Sequence, residues 1–285
     1  MVLRDVGVGA VALVVHDLAG VRGFYERVVG LRTVEAGEGR VVLGVGDSPL
    51  VKLVEDLEAP PRPPRTTGLF HLAILVPDRT ELARSLQRMV ETRWPLAGAS
   101  DHLVSEALYL SDPEGNGIEI YRDRPRDEWQ RDGDELRMAT LPLDLEDLLG
   151  EFGGESVAGG AVPAETRMGH VHLNVDDLAA GERFYAGLLG LGVTARGYPG
   201  ALFLAADGYH HHIGLNTWRG EGLPAPPPGS LGLRDFELTL PSADALAATI
   251  ARLRAGGAAI DAAKDGEALC RDPAGNAVRL VVAAV

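Results

Sequence analysis

"VVHDLAGVRGFYERVVGLRTV" (Val14–Val34) returns, little altered, as "NVDDLAAGERFYAGLLGLGVT" (Asn174–Thr194). Asp17 matches Asp177, Leu18 matches Leu178, Phe24 and Tyr25 match Phe184 and Tyr185, and Gly30 matches Gly190, each 160 residues apart. The same offset joins "DPEGNGIEI" (Asp112–Ile120) to "DPAGNAVRL" (Asp272–Leu280). A unit of about half the chain is therefore duplicated.

Each half divides again. The apolar strand "AVALVV" leads to Asp17 and a helix whose Val21, Phe24, Tyr25 and Val28 share one face, stopping at Gly30. "FHLAILV" precedes a second helix from Asp78, with Leu82, Leu86, Met89 and Val90 at helical spacing. In the second half "DFELTLP" precedes an N-cap at Ser242, a stripe of Leu246, Ile250 and Leu253, and a stop at Gly256 and Gly257. Four modules follow, at about 8–55, 68–122, 168–218 and 232–283. "DLEAPPRPPRTTG" (Asp56–Gly68) reads as an extended connector. The charged stretch Arg122–Ser156, with a short amphipathic segment at Leu143–Leu149, reads as the link between halves.

The bulk properties narrow the partner. With 285 residues there is room for two domains, each with its own core, and 46% hydrophobic against 24% charged residues is a globular composition. A net charge of −14 argues against nucleic acid or an anionic membrane, which need clustered Lys and Arg, and favours a small molecule. The N-terminus lacks a cleavage site, and His16 and Asp17 break its apolar stretch, so neither a signal peptide nor a membrane span is expected. A single cysteine, Cys270, fits a reducing cytoplasm and reads as a small buried hydrophobe.

The "DL…FY…LGL" and "DP.GN" pattern, together with "GASDHLVSEALYLSDPEGNGIEIYRDRP", "GHVHLNV" and "GYHHHIGLNTW", resembles the vicinal oxygen chelate superfamily over nearly the whole chain. That superfamily includes glyoxalase I, bleomycin-resistance proteins and type I extradiol dioxygenases, and the resemblance is to its two-domain bacterial catechol-2,3-dioxygenase-like group. It implies an α+β fold of four βαβββ modules in two duplicated glyoxalase-like domains, at 1–125 and 167–285 with a linker at 126–166. Each pair of modules would form a curved mixed-sheet cleft.

In metal-using members, ligands come from the first and last strands of a module. The resemblance marks Ala10, His71, His170 and Asp235 on first strands, and Val51–Leu53, Glu119, His212 and Arg279 on last strands. The implied metal ligands are His71, Glu119 and His170, with His212 as a fourth nitrogen. Two imidazoles and a carboxylate make the facial set of non-haem Fe(II) sites, with positions open for substrate and oxygen. His102 resembles the superfamily's acid–base histidine, and Tyr109, ten residues before Glu119, the tyrosine that hydrogen-bonds the ligated substrate oxygen. If modules pair in chain order, His71 and Glu119 fall in one cleft and His170 and His212 in the other; if modules two and three pair, all four meet. The link between halves permits both.

Each residue also has a plainer reading. His71, between Phe70 and Leu72, suits a core histidine, and Glu119 an outward strand carboxylate. His172 shares the face of His170 and is either a partner of that ligand or structural; His16 is a solvated residue at a helix start. Arg279 would repel a metal and pair with Asp235. In "HHH" strand alternation puts His210 and His212 on one face and His211 on the other. No phosphate-cradling glycine motif is found.

The expected function is a metal-dependent extradiol-type dioxygenase acting on a catechol-like aromatic and dioxygen, with Fe(II) first and Mn(II) next. A glyoxalase-like lyase or isomerase using Zn or Ni, and a metal-free binding protein of the resistance type, are the alternatives. A homodimer is expected from the superfamily.

Overall fold

The computed structural model describes residues 3–154, 156–157, 159–264 and 266–283. The chain divides into two compact units, one of Val14–Glu58 and His71–Gly169, the other of Met1–Leu13, Ala59–Phe70 and His170–Val285.

The first module begins with β1 (Gly7–Val15). Asp17 then caps α1 (Leu18–Phe24), its carboxylate accepting the Gly20 N–H at 2.8 Å. The helix runs into a π-helical turn, Tyr25–Val29, closed by the Gly30 N–H on the Tyr25 carbonyl at 2.9 Å. Gly30 sits at φ 92°, which favours a residue without Cβ, and Gly190 repeats it at φ 90°. Val21, Phe24, Tyr25 and Val28 are all buried, as their spacing predicts. β2 (Arg32–Gly37), β3 (Arg40–Val45) and β4 (Ser48–Glu55) follow as an antiparallel meander.

The second module comprises β5 (Gly68–Leu75), α2 (Arg79–Thr92), β6 (Gly98–Asp101), β7 (Ser105–Ser111) and β8 (Gly117–Asp123). Its strands lie in the order β6-β7-β8-β5, with β5 and β8 parallel and the other pairs antiparallel. Asp78 caps α2 on the Glu81 N–H, and Leu82, Leu86 and Met89 are buried. Val90 departs from the expected stripe and is exposed, because in the last turn Met89 takes the inward position.

Residues 126–154, expected as part of a link, pack on this module. β9 (Arg131–Asp132) and β10 (Glu135–Leu136) pair as a hairpin, β11 (Leu141–Pro142) adds to β6, and α3 (Leu145–Gly150) buries Leu148. Arg79 reaches Asp147 and Glu151 at 2.7 and 2.9 Å. Two of the charges of the expected link, Asp147 and Glu151, are held in these ion pairs. Glu155 and Ala158, in the glycine-rich run Gly153–Gly160, lie outside the described residues.

The third module repeats the first: β12 (Arg167–Asn174), α4 (Leu178–Glu182) capped by Asp177, a π-helical turn over Arg183–Leu188, then β13 (Gly192–Ala195), β14 (Ala201–Ala205) and β15 (Ile213–Asn216). The fourth holds β16 (Gly232–Leu240), α5 (Ala243–Ala255) capped by Ser242, β17 (Ile260–Lys264), β18 (Glu267–Arg271) and β19 (Ala277–Val282). In both, first and last strands run parallel side by side. This α+β architecture of four βαβββ modules is the one the duplication implies.

The repeated motifs have structural work. Asp112 accepts the N–H groups of Glu114 and Asn116, and Asp272 accepts that of Asn276, which closes the "DP.GN" turn before each last strand. The Tyr185 hydroxyl donates to Asp272 at 2.9 Å. Burial pushes the Asp272 carboxyl up to about 6. Among the described residues no helix is long and apolar enough to cross a membrane.

Candidate metal centre

The parallel pairing of first and last strands brings the expected ligand positions together. In module two Ala73 stands opposite Glu119, and Leu72 opposite Ile118. Because side chains alternate, His71 and Ala73 share a face with Glu119, while Leu72, Ile74, Ile118 and Ile120 face the other way. That second face is the core, and α2 packs against β7 and β8. On the first face β7 sets Tyr109 opposite Glu119 and Ala107 opposite Tyr121. Ala73, Leu75, Ala107 and Tyr121 form its apolar floor, with Tyr109 packed on them.

His71 Nε2 lies 2.9 Å from Glu119 Oε2, and both residues are almost fully buried, at 5% and 3% exposure. A carboxylate withdrawn from water needs a cation or donors to hold its charge. His170, on β12, is 1% exposed. One ligand atom from each of His71, Glu119 and His170 lies within 4.8 Å of the others. Two nitrogens and one carboxylate oxygen at that separation fit a divalent transition metal.

His102 and Tyr109 form a second polar pair. His102 Nδ1 is 2.6 Å from the Ala139 carbonyl, and Nε2 is 2.6 Å from the Tyr109 hydroxyl. The carbonyl only accepts, so Nδ1 carries the proton and a neutral His102 accepts the tyrosine hydroxyl at Nε2. The Tyr109 ring centroid lies 5.7 Å from that of His71.

The triple histidine is arranged differently from the strand expectation. His210–His212 lie in a bend before β15, so alternation does not apply to them. The bend turns His211 toward His170, with ring centroids 4.0 Å apart, and sets His210 Nδ1 2.7 Å from His211 Nδ1. His212, expected as a fourth ligand, instead accepts the Ala206 N–H at Nδ1, at 3.2 Å, and is not among the three gathered residues. His211, rather than His212, is the histidine the bend places on His170, and sequence periodicity gives no sign of it. His172 packs over Gly214, where a Cβ would stand 2.9 Å from the ring, which accounts for a glycine in the middle of β15.

At the corresponding positions of module four, Asp235 and Arg279 form an ion pair at 3.0 Å, with Arg279 also on Glu267 at 3.1 Å. The pairing runs between neighbouring parallel strands, and the bond to Asp235 raises the guanidinium further. Cys270 is fully buried and its thiol is pushed up to about 12 by burial, so it offers no thiolate at neutral pH.

Comparison with known proteins agrees with this fold. The family model of the Glyoxalase/Bleomycin resistance protein/Dioxygenase superfamily matches residues 7–120 and 167–280. The "Catechol-2,3-dioxygenase" of Bacillus subtilis (strain 168) is 41% identical over 263 residues, covering 90% of this chain and 91% of that protein. Among solved structures, a putative dioxygenase from Bacillus subtilis has a TM-score of 0.66 at 13% identity, covering 98% of this chain and 86% of its own. Glyoxalase I from Zea mays has a TM-score of 0.61 at 15% identity, covering 98% and 92%, and at these identities both structures speak for the fold alone. With its model matched twice, once in each half, the chain belongs to the Glyoxalase/Bleomycin resistance protein/Dioxygenase superfamily.

Proposed function

We propose that the protein is a metal-dependent extradiol-type dioxygenase that cleaves the ring of a catechol-like aromatic, with its centre drawn from modules two and three. The observation that carries the reading is the approach of His71, Glu119 and His170 to within 4.8 Å of one another. The B. subtilis relative named catechol-2,3-dioxygenase supports the reaction class. These three residues would hold the metal, with Fe(II) the expected ion and Mn(II) next. When bound, such an ion supplies Lewis acidity toward two adjacent catechol oxygens and one-electron chemistry toward dioxygen.

The chain's own groups handle binding and protons. The face of Ala73, Leu75 and Ala107 gives an aromatic ring an apolar floor and keeps water from the polar pair above it. Tyr109 gives its proton to His102 Nε2, so its oxygen lone pairs accept a hydrogen bond from a substrate hydroxyl. A proton leaving that hydroxyl passes to the Tyr109 oxygen while the phenolic proton moves to His102 Nε2. The Ala139 carbonyl fixes the tautomer that makes Nε2 the acceptor, and it holds the imidazolium that results. His102 then has a proton to return as the ring opens.

Oxygen uptake with catechol, measured on protein purified without air or chelator, tests the reading. Consumption with the yellow colour of a ring-opened product is expected, abolished by a strong chelator. Uptake that survives removal of all metal, or none with any catechol after loading with Fe(II) and Mn(II), overturns it.

A further inference from the structure

Arg62 and Arg219 lack the acidic partner that four other partly buried arginines of the chain have, and unlike Arg88 and Arg252, which bond carbonyls of neighbouring helices, they lie beside an exposed aromatic cluster. Arg79, Arg122, Arg124 and Arg279 each meet a carboxylate at 3.1 Å or less. Arg219 has a buried Nη1 with no hydrogen-bond partner. Arg62 donates Nη1–H to the Leu69 carbonyl at 3.0 Å, and among the described residues neither arginine has an acidic partner. Each is also less basic than an ordinary guanidinium: burial and then the charge of Arg219 pull Arg62 down to about 10, and burial lowers Arg219. Two like charges set near each other and partly withdrawn from water carry a cost in any protein, and are more conspicuous in one that has 41 acidic residues against 27 basic ones.

The surroundings say what would sit there. Arg219 follows Trp218, and the carbonyl that anchors Arg62 precedes Phe70. The Phe70 and Trp218 rings meet edge to face at 5.2 Å, and His172 lies 5.3 Å from the first and 5.2 Å from the second. Phe70 and Trp218 are 36% and 45% exposed, so part of the ring surface faces outward. His172 shares a strand face with His170, which links the rings to the candidate metal centre. The proline-rich connector that carries Arg62 is pinned: the Thr67 N–H bonds Pro224, its hydroxyl bonds Ala274, and the Leu231 N–H bonds Pro60. The guanidinium is therefore held in place, which bidentate recognition of a carboxylate requires.

We infer that the aromatic ligand carries a carboxylate, bound by Arg62 and Arg219 beside the rings of Phe70, His172 and Trp218. That this ligand is the substrate rests on the dioxygenase reading; that the site takes an acidic aromatic does not.

The test uses 4-hydroxyphenylacetate, which lacks the second hydroxyl of a catechol, against neutral 4-methylphenol, with binding followed by calorimetry on the metal-loaded full chain. The wild type is expected to prefer the acid, and Arg219→Gln to weaken it by roughly tenfold to a hundredfold while leaving the neutral phenol unchanged. Arg219→Lys and Arg62→Gln serve if the first variant folds poorly, with Lys expected to keep part of the preference. Equal affinity of the wild type for both compounds, or equal weakening of both in a variant with unchanged melting temperature, overturns the inference. Oxygen uptake with 3,4-dihydroxyphenylacetate and catechol separates the two claims. Arg219-dependent binding without uptake on either catechol sinks the dioxygenase reading and keeps the carboxylate site; uptake with no preference for the acid does the reverse.

Discussion

Module two and module four place different chemistry on the same scaffold positions. In the one, His71 and Glu119 meet across parallel strands at 2.9 Å; in the other, Asp235 and Arg279 meet at 3.0 Å. The backbone relation is the same, first strand beside last strand, so the difference lies in the side chains alone. Imidazole and carboxylate together offer two donors to a cation. Aspartate and arginine satisfy each other, and a permanent positive charge occupies the place a metal would take. Duplication supplied two copies of a strand pair; one is closed by an ion pair, and the other carries two of the residues proposed to hold a metal.

Breaking the open pair should have the largest effect. His71→Ala or Glu119→Gln is expected to lower metal content and activity by at least about a hundredfold, beyond the loss seen when a group behind a ligand is removed. Metal analysis and oxygen uptake read this together. Tyr109→Phe and His102→Ala should leave metal content unchanged and lower kcat by about a hundredfold or more, as removal of a proton-transfer group does. Metal loss in either variant would mean that they shape the site and do not serve it as proton carriers.

The closed pair should answer in stability instead. Arg279→Ala leaves Asp235, 6% exposed, with only the longer contact to Arg234 at 3.8 Å and should destabilise the fold by about 3 kcal/mol, the low end for a broken buried pair because Arg279 is partly exposed and Arg234 remains. Denaturant unfolding measures it, and uptake of oxygen per folded molecule should be unchanged. A smaller effect belongs to the turn before the closed strand. The folded-state pKa of Asp272, about 6, lies above its ordinary 3.8, so the group adds stability below about pH 4 that is lost as pH rises through 6. Asp272→Asn should flatten the dependence of melting temperature on pH over that window.

Much of this was legible in the sequence because it is local. Asp17, Asp78, Asp177 and Ser242 cap helices that a period of 3.6 reveals, and Gly30 and Gly190 end them where a positive φ is needed. The ligand pair of module two follows from a module whose first and last strands run side by side. What was not legible is what the chain does over long separations or in bends. A π-helical turn leaves no periodic mark, so neither Tyr25–Val29 nor Arg183–Leu188 could be read. The triple histidine looked like strand, and its bend brings His211 rather than His212 to His170. The charged stretch 126–154 reads as part of a link, whereas Asp147 and Glu151 are held by Arg79 of module two, and Arg62 and Arg219 lie 157 residues apart in sequence.

Elemental analysis of the wild type, His71→Ala and Arg279→Ala, each purified without air or chelator, tests the central claim most directly. Iron or manganese near one per chain is predicted in the wild type and in Arg279→Ala, and a small fraction of that in His71→Ala. Metal retained in full by His71→Ala, or none bound by the wild type after reconstitution, would contradict it.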